Sequence, residues 1–144
     1  MKLTKAQRNE IKLKFGGKCS YCGCDLPEKG WHLDHAEPVI RKSEWQSTGT
    51  FTGKFVNTGE AFRPENHSFE NLMPACAPCN LYKSSMNIEG LRYEIALQVE
   101  RARKSSLNFR LAEKFGLVTV TEAPIVFHFE RYTGRAVLAQ GGDE

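Results

Sequence analysis

Apolar positions recur at helical spacing in two parts of the chain. Residues 5–15, KAQRNEIKLKF, place Ile11, Leu13 and Phe15 near the end of a short predicted helix, and Gly16-Gly17 stops it. Residues 88–116 carry the stronger signal: Leu91, Ile95, Val99 and Ala102 recur every three to four residues. Ser105-Ser106 divides this stretch into two predicted helices, and Gly116 ends it. Strand patterns are shorter. WHLDHAEPVI predicts one strand of about five residues, closed by Pro38. NLMP, residues 71–74, predicts a second strand, and ACAPCNLYKSSM then turns into a short helix with Pro78 in its first turn. LVTVTE and IVFHFERY read as two strands around Ala123-Pro124, and GGDE as a frayed tail. Residues 41–70 are polar and rich in Ser, Thr, Gly and Asn. They read as a long functional or mobile connection in which TGTFTGKF holds at most a weak hairpin. The expectation is an α+β single domain, with residues 1–87 as its core and 88–144 as a helical and β extension packed on it.

Composition narrows the class. The 144 residues are 40% hydrophobic and 26% charged, with a net charge of +3. That balance permits a polyanionic partner without demanding one. No apolar run approaches a membrane span, and MKLTKAQRNEIKLKF lacks the apolar core of a signal peptide, so an intracellular, cytoplasmic protein is expected.

Five cysteines, an odd number, argue against a disulfide framework. Four of them form two C-x-x-C turns, Cys19-Ser-Tyr-Cys22 and Cys76-Ala-Pro-Cys79. One such pair alone would leave a redox site open as the alternative. Two pairs predict a closed tetrahedral Zn²⁺ site with a structural role, clamping the LDH segment against the NLMP segment. Cys24 is the spare thiol, expected to pack as a small apolar residue or to assist near the zinc.

The order of the remaining polar residues resembles the HNH endonucleases. The elements are Cys19 and Cys22, LDHAEP (residues 33–38), NLMPACAPCN (residues 71–80) and Lys83, covering residues 15–86. The extended run NLMPACAPCNLYKSSMNIEGLR, with the later PIVFHFE, looks like the small bacterial and phage members. The resemblance implies a zinc-clamped ββα-metal nuclease core that cleaves DNA. In that arrangement Asp34 and Asn80 bind one divalent cation, His35 is the general base for water, and Asn71 holds the loop or the histidine in place. Asparagine at position 80 is a variant of a position often occupied by histidine.

Chemistry supports the same assignment. Phosphodiester hydrolysis needs an activated water and a sink for developing charge, and an imidazole with a pKa near 6.5 accepts a proton at neutral pH. Oxygen donors from Asp34 and Asn80 favour a hard cation, Mg²⁺ or Mn²⁺. Each residue also has a plainer reading. Asp34 could cap a turn, His35 could be a satisfied strand-end histidine, and Asn80 could cap its helix. His32, two residues before Asp34, and His67 are further candidates for the site, whereas His128 reads as a packed strand residue. Lys83, Arg41 and Lys42 are expected to contact the substrate phosphates, with Lys54 and Arg63 as further candidates. Arg92, Arg101, Arg103, Lys104 and Arg110 suit DNA contact and a solvated helix face equally, because Glu89, Glu94, Glu100 and Glu113 accompany them. Cutting both strands would require a homodimer. The alternative from another class is a zinc-stabilised nucleic-acid-binding module without catalysis.

Overall fold

A computed structural model describes residues 2–134. The chain is a mixed α and β protein with two-stranded sheets. Its elements are α1 (Lys5–Leu13), β1 (His32–His35), β2 (Ile40–Ser47), β3 (Gly53–Phe62), a 3-10 turn (Pro64–Asn66), β4 (Leu72–Ala75), α2 (Ala77–Lys83), α3 (Ile88–Ala96), α4 (Gln98–Ser105), α5 (Leu107–Lys114) and α6 (His128–Arg131). β1 pairs with β4, and β2 pairs with β3. Two compact units interleave along the chain rather than dividing at residue 87. One comprises residues 2–34, 73–80 and 126–134, and the other comprises 35–72 and 81–125.

The first unit, called here the cysteine unit, holds most of the core: Ile11, Cys19, Tyr21, Leu26, Trp31, Met73, Ala75 and Phe127 are buried. α1 starts on a capping box, in which the Thr4 hydroxyl accepts from the Gln7 amide and the Gln7 side chain accepts from the Thr4 amide. Its one buried residue is Ile11. Gly16, at φ +71°, takes the chain out of the helix. The segment 126–134 docks through its backbone, with the amides of His128 and Phe129 donating to the carbonyls of Tyr21 and Ser20. Tyr21, Phe127 and Phe129 then pack ring on ring, with centroids 5.7–6.5 Å apart.

The second unit, the hairpin unit, contains the largest departure from expectation. The polar stretch read as a connection forms a long antiparallel hairpin of β2 and β3, pairing Ile40 with Phe62, Trp45 with Phe55 and Ser47 with Gly53. Its strands are mostly exposed on both faces, so neither apolar alternation nor burial marks them in the sequence. Cross-strand pairing supplies the stabilisation, including an edge-to-face contact of Trp45 and Phe55 at 5.2 Å. The pairing shifts between Arg41 and Ser43, opposite Thr58-Gly59-Glu60. Gly59 at φ +82° carries that irregularity.

The helical stretch breaks at Ser106, whose hydroxyl caps α5, and also at Leu97. The two strands expected around Ala123-Pro124 do not form. Residues 117–127 are irregular, and His128–Arg131 is a short helix. Both runs had the β-branched and aromatic content of strands, but neither finds a partner strand among the described residues. The GGDE tail lies outside the described residues.

Candidate metal centre and active-site residues

The cysteine unit gathers all five thiols. Cys19 to Cys24 form a tight turn: the Gly23 amide donates to the Cys19 carbonyl at 3.0 Å, and the Cys19 amide donates to the Cys24 carbonyl at 2.8 Å. β4 delivers Cys76 and the first turn of α2 delivers Cys79. The Ser20 amide and hydroxyl both bond the Pro74 carbonyl, at 2.9 and 2.7 Å, and fasten the two turns together.

Four sulfurs, those of Cys19, Cys22, Cys24 and Cys76, lie within 4.8 Å of one another. Sulfurs at about 2.3 Å from a tetrahedral zinc are about 3.8 Å apart, and the Cys22 and Cys76 sulfurs are 3.8 Å apart. The donor set therefore fits a metal such as zinc. Cys79, the ligand expected from sequence, is absent from this mutually close group, and Cys24, the expected spare, belongs to it. Cys79 nonetheless stands close enough to Cys19 and Cys76 to interact with both. The neighbouring Cys79 thiol, first, and the nearby amides of Cys76, Cys22 and Tyr21 lower the Cys19 pKa to about 4 against the opposing effect of burial. Cys79 is pushed up in turn. A thiolate already favoured at Cys19 is a ready metal ligand.

Two of the expected active-site residues lie in the same unit. The Asp34 carboxylate is buried and accepts from the Tyr21 hydroxyl. Burial, first, and the Asp34 charge, second, raise the Tyr21 pKa well above the ordinary phenol range, so Tyr21 remains a donor. The Asn80 amide nitrogen lies 2.7 Å from Nδ1 of His32. With His32 accepting, Asn80 turns its nitrogen to the imidazole and keeps its oxygen for another partner. Tyr21 and His32 therefore orient the two oxygen donors. Tyr21→Phe leaves the buried carboxylate short of a hydrogen bond. It should cost about 1–3 kcal/mol, read as a lowered midpoint in urea unfolding of the zinc-loaded protein. An unchanged midpoint would contradict this role.

His35, Asn71 and Lys83 belong to the hairpin unit. His35 Nε2 lies 2.8 Å from His67 Nδ1. The tautomers decide which of the two nitrogens donates. The two rings share a cavity of about 280 Å³ with Val39, Arg41, Asn57, Gly59, Glu60 and Ala61. The pairing shift in the hairpin places Asn57 and Gly59 in that wall. The Asn71 side chain clamps the loop after β1. Its oxygen accepts from the Glu37 amide at 2.9 Å, and its nitrogen donates to the carbonyls of Glu37 and Asn66 at 2.8 and 2.7 Å.

Lys83 corrects the sequence reading. Expected to reach a phosphate, it is 0% exposed, with its ammonium 2.6 Å from the His35 carbonyl. It fixes the backbone of the imidazole rather than the substrate. Lys83→Met keeps the stem and removes the donor. On the expectation that His35 is a general base, it should lower activity about tenfold or more through misplacement of His35, while far-ultraviolet circular dichroism stays native. Wild-type activity in this variant would rule the role out.

The expected phosphate contacts divide. Arg41 is exposed on the cavity. Lys42 lies on Glu60 at 3.2 Å and over the Phe62 ring at 5.1 Å. Lys54 and Arg63 are exposed. On the helices, Arg92 pairs with Glu89, Arg101 with Glu94, Arg103 with Glu113 and Lys104 with Glu100. Arg110 donates to the carbonyls of Arg103 and Lys104. These contacts favour a solvated, internally paired helix face over DNA contact. His128 is not a strand residue; it opens α6, with Nε2 at 3.1 Å from the Phe15 carbonyl.

Sequence reasoning had weighed His67 and His32 only as candidates, and Tyr21 was missed. The sole available signal for Tyr21 was an aromatic residue inside the first C-x-x-C turn. No helix among the described residues is long and apolar enough to cross a membrane. Comparison with protein-family models, with curated proteins and with solved structures found no match.

Proposed function

We propose that this protein is a metal-dependent endonuclease of the HNH type that hydrolyses DNA phosphodiester bonds. The observation that carries this reading is the setting of His35. Its backbone is fixed by Lys83, its ring nitrogen meets His67, and it opens on a cavity that also presents Arg41. An imidazole held in this way suits a proton acceptor, and the guanidinium suits a phosphate.

In this reading His35 takes the proton of the attacking water as its oxygen bonds to phosphorus. The bond from phosphorus to the leaving oxygen breaks, and that oxygen is protonated from solvent. Asp34, consecutive with His35, and Asn80 would hold a divalent cation, Mg²⁺ or Mn²⁺. Their oxygen donors fit a hard ion, and Tyr21 and His32 each hold one atom of the respective side chain. When bound, such a cation supplies positive charge to stabilise the phosphoryl and leaving oxygens. Asn71 positions the loop that follows the imidazole. Zinc bound by the cysteines would serve the fold alone, and a single site of this kind cuts one strand, so double-strand cleavage would need a homodimer.

The test is conversion of supercoiled plasmid to nicked or linear DNA in Mg²⁺ or Mn²⁺, abolished by a chelator that leaves the thiolate zinc in place. A mobility shift without conversion would favour the alternative, a zinc-stabilised nucleic-acid-binding module. Activity seen only with added Zn²⁺ would contradict Asn80 as an oxygen ligand.

A further inference from the structure

We propose that Cys24 is a zinc ligand, and that Cys24 and Cys79 are alternative fourth ligands on a base of three thiolates, Cys19, Cys22 and Cys76. Two observations meet here. The four mutually close sulfurs include Cys24 and omit Cys79. Cys79, however, shares the Cys76-Ala-Pro-Cys79 turn with a member of that group and is close enough to Cys19 and Cys76 to perturb both, while the Cys24 sulfur lies within 4.8 Å of those of Cys19, Cys22 and Cys76. Cys76 thus neighbours both candidates for the fourth position.

The backbone gives Cys24 this position. Gly23 has φ +78°, a conformation that favours glycine. It doubles the chain back, so that the Cys24 carbonyl accepts from the Cys19 amide and Lys18 bridges to Asp25. The turn is also packed from outside, because a Cβ at Gly23 would meet His128 Nδ1 at 3.3 Å. The sulfur therefore stands beside the first C-x-x-C pair because the turn is built that way.

Zinc in a closed site takes four protein ligands, and this unit supplies five thiols. Exchange of the fourth ligand makes one zinc–sulfur bond and breaks another. The incoming thiol gives up its proton as the outgoing thiolate takes one, so charge balances and no oxidant is needed. Cys24 and Cys22 are exposed, whereas Cys19 is buried, so exchange occurs at the solvent side. It also has a target, because Cys79 directly precedes Asn80, and releasing Cys79 loosens the helix turn that carries that amide.

The experiment uses the zinc-loaded, full-length protein. Brief alkylation with iodoacetamide, mapped by mass spectrometry, should give chains labelled once, with the label divided between Cys24 and Cys79. Label confined to either residue alone would overturn the proposal. As a second measurement, Cys24→Ser and Cys79→Ser should each retain about one zinc per chain, with affinity in chelator competition weakened by about tenfold to a hundredfold. The double variant should retain none. Loss of zinc from either single variant, or its retention in the double variant, would overturn it as well.

Discussion

His35→Ala should reduce plasmid nicking by about a hundredfold to ten-thousandfold, the usual contribution of a positioned general base. The size of the effect separates catalysis from binding. If the ring merely packs at the cavity wall, alanine removes a few contacts and leaves DNA processing intact. If the ring takes the proton from water, Arg41, a permanent cation, and Asn57, which has no basic nitrogen at neutral pH, do not replace it, and the Glu60 carboxylate of the same cavity is paired with Lys42 at 3.2 Å. His67 is the second imidazole of that cavity, so His67→Gln belongs in the same assay. Glutamine retains a hydrogen-bonding partner for His35 Nε2 while removing the second imidazole. Partial activity in His67→Gln together with none in His35→Ala would assign the base to His35 and orientation to His67. Equal conversion by wild type and His35→Ala would make the catalytic assignment wrong, whatever the DNA affinity.

Cys76→Ser should abolish zinc binding and native folding together. This sulfur belongs to the three-thiolate base shared by both arrangements of the fourth ligand, so its loss takes a ligand from each. Structural zinc in small thiolate sites binds with an apparent free energy of about 10–16 kcal/mol, which becomes folding energy. A whole domain is stable by only about 5–15 kcal/mol. The core of the cysteine unit is small, and the turns carrying Cys19–Cys24 and Cys76–Cys79 are fastened chiefly through Ser20 and Pro74. Metal analysis of the variant should find less than one zinc per ten chains, and near-ultraviolet circular dichroism should lose the signal of its packed aromatic residues. A folded Cys76→Ser protein without zinc would show that packing alone holds the unit.

These two residues also mark how much was legible in the sequence. Cys76 could be read directly, because C-x-x-C spacing is a local property of a turn and metal chemistry limits what two such turns do. α1, the β1 and β4 strands and α2 were legible for the same reason, since caps, glycines and prolines act within a few residues of themselves. The hairpin of β2 and β3 was legible only around its turn, at TGTFTGKF, and its full length was not. Its residues face solvent on both sides, and what holds it is the pairing of strands that the sequence separates by a polar loop. The opposite error occurred after Gly116, where β-branched and aromatic runs looked like strands. Such composition favours strands only when a partner is present. Phe127 and Phe129 instead packed against Tyr21.

The sequence by itself determined the chemical inventory: two cysteine pairs, an adjacent acid and imidazole, and amides at positions 71 and 80. It also determined the helical stretch and the mildly basic charge, because each depends on residue identity or on spacing of a few residues. Only the tertiary structure decided which groups meet. It drew Cys24 into the thiolate group and buried Lys83 on the His35 carbonyl. It set Tyr21 on Asp34, His32 on Asn80 and His67 on His35. Each of these contacts joins residues whose separation along the chain is bridged by folding, and their energies come from burial and hydrogen bonding that a linear pattern does not carry.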